Sequence, residues 1–462
     1  MSGQLLSGHA PLDAVLGGGL PANAISLIMG LPGTGKTIIA QQYLFRNARP
    51  ERPAVYFSTV SEPLEKIVRF GQGLDFFDRS AVGTSVFYED LGAAVSKDAL
   101  AGVTERISAV LKQRNPGLIV IDSFKALHAF ADSNTEFRTF LHELAGRLSA
   151  FPVSSLWVGE YEEPEAGSLA EFAVADAILG LVTERIGQRE IRFLSVRKLR
   201  GSGYRSGQHA YRLGSSGLRL FPRLADVRID TTYALGDSRI SSGIPALDTL
   251  LAAGYWPGAS TLVAGPSGSG KTLMGLHFIF HGARHGEPGV IASLQENRTQ
   301  LERIAGGFGW SFTEPGVEVM YRSPVDIYID EWVYELMEAV DRTGARRVLV
   351  DSLADLRVAA PDGTRFREFA YSLVQRFSQQ GVSVVMTFEI PDLFHTERLS
   401  DSAVSHLSDN IVLLNYVQNH RSISRAMSVI KSRASHHSAD IREFLIGPDG
   451  IVLGDSPSAD GA

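Results

Sequence analysis

The chain has 462 residues, 44% of them hydrophobic and 21% charged, so it can fold into two or three domains of about 150 residues and is too apolar to be disordered throughout. A net charge of −7 argues against a protein that mainly binds nucleic acid backbones. The absence of cysteine excludes disulfides, thiolate nucleophiles and cysteine-ligated zinc. No apolar run is long enough to cross a bilayer and residues 1–8 lack signal-peptide features, so we expect a cytoplasmic protein without a membrane partner.

The first half begins with an apolar run at 25–29, which predicts a strand ending at a glycine-rich loop. The stretch 37–45 follows the loop, and its composition predicts a helix. Residues 118–121 form another apolar run. Near-continuous apolar strands are typical of parallel sheets covered by helices on both faces. We therefore expect an α/β fold with a mostly parallel twisted sheet.

The second half repeats this order, with predicted strands at 261–264, 348–350 and 382–388 and a predicted helix at 272–280. Three matching pairs lie 235, 229 and 233 residues apart: Lys36 and Lys271, Asp122 and Asp351, Lys198 and Lys431. So constant a separation indicates that a whole domain was duplicated. The predicted organisation is a first domain, a linker, a second domain and a short disordered tail, at residues 1–225, 226–242, 243–451 and 452–462.

Both glycine-rich loops fit the pattern G-x-x-x-x-G-K-[ST], reading GLPGTGKT and GPSGSGKT. Glycines let backbone N–H groups wrap a phosphate at the N-terminus of the next helix, and the lysine reaches the β- and γ-phosphates. A single match could be an accidental glycine-rich turn, but two matches between a strand and a helix predict nucleotide binding. The predicted nucleotide contacts are Gly30, Gly33, Thr34, Gly35, Lys36, Thr37, Ile38, Gly265, Gly268, Ser269, Gly270, Lys271, Thr272 and Leu273.

Carboxylates and hydroxyls near these loops predict a metal and a base. Asp122 and Asp351 end apolar strands, where a carboxylate is costly unless it has a function; with the hydroxyls of Thr37 and Thr272 they would bind Mg²⁺. The alternative is an aspartate that caps the next helix. Glu62 and Glu296 follow the second strand of each half and are candidates for polarising the attacking water, or else solvated loop acids.

With these residues in place, the chain resembles the KaiC family of tandem RecA-like P-loop ATPases, from about Gly8 to Ile451. The most specific segments are RKLRGS at 197–202 and MSVIKSRASHH at 427–437. The resemblance implies two RecA-like domains that use ATP and Mg²⁺, in a two-tiered hexameric ring. It also implies that certain cations reach the nucleotide of the neighbouring subunit, although they could be ordinary surface residues: Lys198, Arg200, Lys431 and Arg433.

Two departures from the family pattern affect the expected activity. Where the family has two adjacent glutamates, the first of them acting as the base, this chain has Ser61-Glu62 and Gln295-Glu296, so hydrolysis is expected to be slow or to rely on the second glutamate. The family's adjacent serine and threonine phospho-acceptors are matched by Ser405 and His406. Ser405 is thus the candidate acceptor of a serine autokinase, without a two-site cycle.

The chain ends soon after the second domain, so we do not expect a KaiA-type partner, and the resemblance leaves a KaiB-like partner open. The leading hypothesis is a slow, oligomeric ATPase that acts as a signalling or timing switch. One alternative is a scaffold that assembles on ATP without hydrolysing it. Another is a RecA-like DNA motor, since a shared fold does not fix function, although the acidic charge speaks against it.

Overall fold

The computed structural model describes residues 3–59, 63–162, 169–224, 238–325, 327–360, 362–390, 406–419, 422–433 and 435–453. The chain divides into two compact units, Met1–Asp226 and Val227–Ala462. No helix within the described ranges is both long and apolar enough to span a membrane. Each unit is described separately below.

The first unit contains strands β1 to β11, at Gln4–Leu5, Leu20–Pro21, Ile25–Gly30, Ala54–Ser58, Val86–Asp90, Leu118–Asp122, Ser154–Gly159, Ala177–Ile186, Arg189–Leu199, His209–Gly214 and Gly217–Phe221. Helices α1 to α6 lie at Ala10–Val15, Lys36–Asn47, Leu64–Gly71, Gly92–Arg114, Asn134–Ser149 and Ala170–Val174, with a 3₁₀ helix at Lys125–Phe130. The large sheet has the order β11-β10-β9-β8-β3-β7-β6-β4-β5. Strands β8 to β11 form an antiparallel meander at one edge, and the other neighbours pair in parallel.

The second unit contains strands β12 to β20, at Ser260–Gly265, Gly289–Ser293, Val317–Tyr321, Arg347–Asp351, Ser383–Glu389, Asn410–Asn419, Ser422–Ser432, Arg442–Gly447 and Gly450–Leu453. Helices α7 to α12 lie at Pro245–Leu250, Lys271–Arg284, Arg298–Gly306, Ile329–Thr343, Leu353–Ala359 and Gly363–Gln379. Its sheet order, β14-β13-β15-β16-β12-β17-β18-β19-β20, repeats that of the first unit read from the opposite edge. The duplication seen in the sequence is therefore a duplication of topology.

The strands that lead into the two glycine loops are buried along their whole length. Every residue of β3 and of β12 is buried, because helices and side chains of the core clusters cover both faces of each sheet. The predicted mostly parallel α/β architecture is confirmed, and α2 and α8 extend beyond the predicted helices at both ends. Since parallel strands end at one edge of the sheet, the loops that follow them meet there.

Candidate functional site

The first glycine loop joins β3 to α2 and has the backbone shape of a phosphate loop. Gly33 and Gly35 adopt φ values of +80° and +87°, which side chains rarely tolerate. At Gly35 a Cβ atom would also lie 2.4 Å from Leu213 Cδ1. The glycine is therefore required both by its conformation and by the side chain behind it.

The second loop, between β12 and α8, repeats this shape. Gly268 and Gly270 have φ values of +73° and +105°. The Ser269 hydroxyl is buried and has no hydrogen-bond partner within the described residues. An unsatisfied buried hydroxyl in a glycine-rich loop at the N-terminus of a helix fits a phosphate ligand.

The loop lysines lie folded over their own loops. Lys36 Nζ donates to the carbonyl of Leu31 at 2.9 Å, and Lys271 Nζ donates to the carbonyl of Pro266 at 2.8 Å. Both side chains are largely buried, and burial lowers the pKa of each ammonium. Each lysine is thus already placed inside the loop that would hold the phosphates.

A hydroxyl and a carboxylate meet beside each lysine. Thr37 Oγ1 donates to Asp122 Oδ2 at 2.7 Å, and Thr272 Oγ1 donates to Asp351 Oδ2 at 2.8 Å. One carboxylate with one hydroxyl is a donor set that suits Mg²⁺, which takes few protein oxygens and keeps waters and phosphate oxygens as its other ligands. The described residues contain no group of three or more acidic or histidine side chains that could hold a metal by themselves.

The environments of the two aspartates differ. Asp351 is buried, and burial raises the pKa of its carboxyl against the opposing effects of the hydrogen bonds from Thr387 and Thr272. Asp122 is only half-buried and accepts a second hydrogen bond from Tyr56 Oη at 2.6 Å. The second unit therefore keeps its carboxylate further from solvent.

Of the predicted bases, Glu296 is described and Glu62 lies outside the described residues. Glu296 Oε2 is buried and has no hydrogen-bond partner within the described residues. Burial, and then the neighbouring Asp351, raise the pKa of this carboxyl. Gln295, which replaces the family's first glutamate, is exposed, and its Nε2 lies 3.5 Å from Ser352 Oγ.

A second pair of glutamates lies by the loops and was missed in the sequence. Glu160 directly follows β7, and its Oε1 lies 4.0 Å from Lys36 Nζ. Glu389 ends β16 at the matching register and favours the charged form of Lys271. The two glutamates are 229 residues apart, the same separation as Asp122 and Asp351, and this repeated spacing is the signal that could have found them.

A cavity of about 800 Å³ lies over the first loop. Its polar lining includes Lys36, Thr37, Asp122 and Glu160. Its apolar lining includes Ile38, Ile67 and Leu213. A lining that combines charged, hydroxyl and aliphatic groups suits a ligand that has both phosphates and an apolar ring.

The remaining predicted site residues lie in different surroundings. Thr34 Oγ1 donates to the carbonyl of Leu31 at 2.8 Å, within the loop itself. Gly30 and Gly265 end β3 and β12, as the motif requires. Leu273 is packed in the core of the second unit. Ser405 lies outside the described residues.

The predicted trans-acting cations do not approach the glycine loop of their own unit. The N–H of Arg200 donates to the Asp176 carbonyl, and the N–H of Asp176 donates to Ile25, the first residue of β3. The loop begins at the other end of that strand, about 16 Å away at 3.3 Å per residue. Arg433, Asp409 and Ser260 repeat the arrangement in the second unit.

The side chains of these cations are held at the distant end of the strand. Lys198 Nζ donates to the carbonyls of Phe172 and Ala173, both at 3.1 Å, and Lys431 Nζ donates to the carbonyl of Ser408 at 2.7 Å. Arg200 and Arg433 remain mostly exposed beside Asp176 and Asp409. Each of these four cations is therefore separated from the phosphate loop of its own unit.

Comparison with known proteins matches both units to one family. A family model described as an ATPase, KaiC, matches residues 7–225 and again 240–458. The circadian clock oscillator protein KaiC of a Picosynechococcus species is 27% identical over 460 residues, which cover 96% of this chain and 88% of that protein. The circadian clock protein KaiC3 of a Synechocystis species is 29% identical over 470 residues, which cover 98% of this chain and 92% of the relative.

Proposed function

This chain belongs to the KaiC family of ATPases, and from that premise we propose that it binds ATP with Mg²⁺ in both units and hydrolyses it slowly. The observation that carries the proposal is the lysine, threonine and aspartate set of the first loop, which the second loop repeats with the same hydrogen bond. Two independent copies of one geometry indicate two sites of one kind.

Each residue of the set has a chemical role in this proposal. Lys36 and Lys271 exchange their loop carbonyls for phosphate oxygens and stabilise the charge that develops on the transferred phosphoryl group. Thr37 with Asp122, and Thr272 with Asp351, would hold Mg²⁺, which supplies further positive charge to the phosphates when bound.

Glu296 is the best placed base in the second unit. Its buried Oε2, which has no hydrogen-bond partner among the described residues, and its raised pKa suit a group that accepts a proton from the attacking water. The exposed Gln295 can only hydrogen-bond to that water. Slow turnover is the expected result, because this chain has only the second of the family's two adjacent glutamates to accept the proton.

The distant cations support a site that is completed by another subunit. Lys198, Arg200, Lys431 and Arg433 are too far from their own loops to contact the same nucleotide, and the two arginines are exposed. We infer that they act on the nucleotide of a neighbouring copy, within the hexameric ring that the family resemblance implies. Positive charge at the γ-phosphate is the usual contribution of such residues.

An apolar stripe on the outer strands of the second unit fits an interface between copies. Leu445 on β19 and Val452 on β20 are directly opposite each other and are 71% and 55% exposed. Ile441 and Ile430 are also mostly exposed. Exposed apolar side chains that lie side by side, as Leu445 and Val452 do, are typical of surfaces that are covered in an assembly.

Phosphate release from ATP tests the proposal directly. The protein should hydrolyse ATP, and a double lysine variant, Lys36→Ala with Lys271→Ala, should lose this activity while remaining folded. Hydrolysis by the double lysine variant at the wild-type rate would refute the assigned sites.

Mixing two inactive proteins tests whether the cations act in trans. The first is the double lysine variant, and the second is a four-cation variant with alanine at Lys198, Arg200, Lys431 and Arg433. Mixed rings should recover part of the activity, because the first protein supplies cations to the intact loops of the second. Recovery would be absent if the cations served their own chain.

A non-hydrolysing scaffold is the second candidate, and the exposed Gln295 in place of a glutamate is the observation that favours it. Light scattering with and without ATP, measured alongside turnover, separates the two candidates, since a scaffold would assemble without releasing phosphate.

Mass spectrometry of protein incubated with ATP and Mg²⁺ tests the proposed serine autokinase activity at Ser405. Together these assays decide whether nucleotide turnover and phosphorylation accompany assembly, as a cytoplasmic signalling or timing switch driven by nucleotide turnover would require.

A further inference from the structure

The aspartate beside each phosphate loop accepts a hydrogen bond from a group outside the loop motifs. In the first unit, Tyr56 Oη donates to Asp122 Oδ2 at 2.6 Å. In the second unit, Thr387 Oγ1 donates a short hydrogen bond to Asp351 Oδ1. Both donors are fully buried. Each aspartate is therefore held by a donor other than the loop threonine.

The two donors come from strands on opposite sides of the aspartate. Tyr56 lies on β4, which pairs with one edge of β6. Thr387 lies on β16, which pairs with the edge of β15 that corresponds to the other edge of β6. The strand that carries the donor therefore lies on one side of the aspartate's strand in the first unit and on the opposite side in the second.

The strand registers show that the exchange is reciprocal. Tyr56 pairs with the residue two before Asp122, and the matching residue in the second unit is Ile291. Val158 pairs with Asp122 itself, and the matching residue in the second unit is Thr387. Each unit thus has an aliphatic side chain where the other has its donor.

We propose that Tyr56 and Thr387 are positioning residues that orient the metal-binding aspartate of their own unit, an inference that rests on the function proposed above. The loop threonine would have a second role, since its hydroxyl oxygen would also ligate Mg²⁺ through a lone pair. A donor that does not bind the metal keeps the carboxylate oriented throughout. Groups that orient metal ligands in this way typically contribute 10- to 100-fold in metal affinity.

The units also differ in which oxygen is held. Thr37 and Tyr56 both donate to Oδ2 of Asp122, whereas Thr272 and Thr387 donate to different oxygens of Asp351. The two carboxylates are thus fixed in different ways. A substitution of one donor should change the metal affinity of one unit only.

Tyr56 also packs in the core, its ring centroid 5.5 Å from that of Tyr88, so its variants must separate packing from hydrogen bonding. Tyr56→Phe keeps the ring and removes only the hydroxyl. Adding Val158→Thr to this variant supplies a hydroxyl from β7, in the position that Thr387 occupies in the second unit. Val158→Thr alone is the matched control.

The experiment measures Mn²⁺ binding by electron paramagnetic resonance in the presence of saturating ADP, in a Lys271→Ala background that silences the second site. Tyr56→Phe should weaken Mn²⁺ binding about tenfold. The double variant should regain it to within about threefold of the background protein. In the opposite background, Lys36→Ala, Thr387→Val should weaken binding and Thr387→Ser should retain it.

Two results would overturn the proposal. One is unchanged Mn²⁺ affinity in Tyr56→Phe, and the other is a loss that Val158→Thr does not restore, since such a loss would come from packing. The thermal unfolding temperature of each variant measures the effect on packing independently of Mn²⁺ binding. Binding of a fluorescent ADP without metal tests the proposed function itself, because a background protein that binds no ADP refutes the site rather than the positioning role.

Discussion

His277 should make the second unit sensitive to acid. It lies on α8, one helix turn beyond the second phosphate loop, and its side chain is only 8% exposed. Its Nε2 accepts a hydrogen bond from the N–H of Ile451 at 3.0 Å, so the neutral ring holds the β19–β20 hairpin. Burial lowers the pKa of this imidazole to about 4.

The size of the effect follows from the difference between the folded and unfolded pKa values. An unfolded histidine has a pKa of about 6.5, so between pH 6.5 and pH 4 the unfolded state binds a proton that the folded state does not. The stabilisation is fully present above pH 6.5 and is lost as the pH falls towards 4. Linkage gives a loss of about 2 kcal/mol between pH 7 and pH 5 and about 3 kcal/mol in the acid limit.

Urea unfolding at pH 7 and pH 5 measures this loss. His277→Gln places an amide oxygen near the position of Nε2 and removes the titration, so the variant should lose about 2 kcal/mol less than wild type over this interval. His437→Gln, at an exposed position, is the matched control and should behave as wild type. Equal losses in wild type and His277→Gln would refute the reasoning, since burial of this ring would then contribute nothing to the pH dependence.

Two further substitutions test the first phosphate loop. Gly35→Ala combines a φ of +87° with a contact of 2.4 Å to Leu213, so ATP titration should show at least a tenfold weaker affinity in the first unit, and unchanged binding would contradict the loop assignment. Glu160→Gln removes a carboxylate that competes with phosphate for Lys36, and because this glutamate is 55% exposed the affinity for ATP should rise only about two- to fivefold at low salt. Weaker binding by Glu160→Gln would instead mean that the carboxylate takes part in holding the ligand.

The sequence alone was enough to predict the strand, loop and helix at each phosphate site. The strand before each loop is an apolar run, the glycines are spaced for a phosphate, and both features are local. Duplication made these predictions stronger, because each pattern occurs twice at one separation. The antiparallel meander at β8 to β11 was not predicted, since its alternating residues give a weaker signal than the buried central strands.

The contacts around the aspartates could not be predicted in the same way. Tyr56 and Thr387 reach their aspartates across neighbouring strands, so their role depends on sheet order and register. Comparison of the two halves even obscures them, because the matching residues are Ile291 and Val158. Glu160 and Glu389 were predictable in part: their separation matches that of the two aspartates, but no motif includes them.

The two sites share one set of residues and differ in how far each is removed from water. Asp351 is 2% exposed and lies near Glu296, whose buried Oε2 has no hydrogen-bond partner in the described part of the chain, whereas Asp122 is half-buried and lines an open cavity. Coulomb interactions strengthen as the effective dielectric constant falls. The charges that a bound phosphate and metal bring therefore interact more strongly with the carboxylates of the second unit than with those of the first. A duplicated domain can in this way acquire two responses to one nucleotide through burial alone, without a change in the residues that bind it.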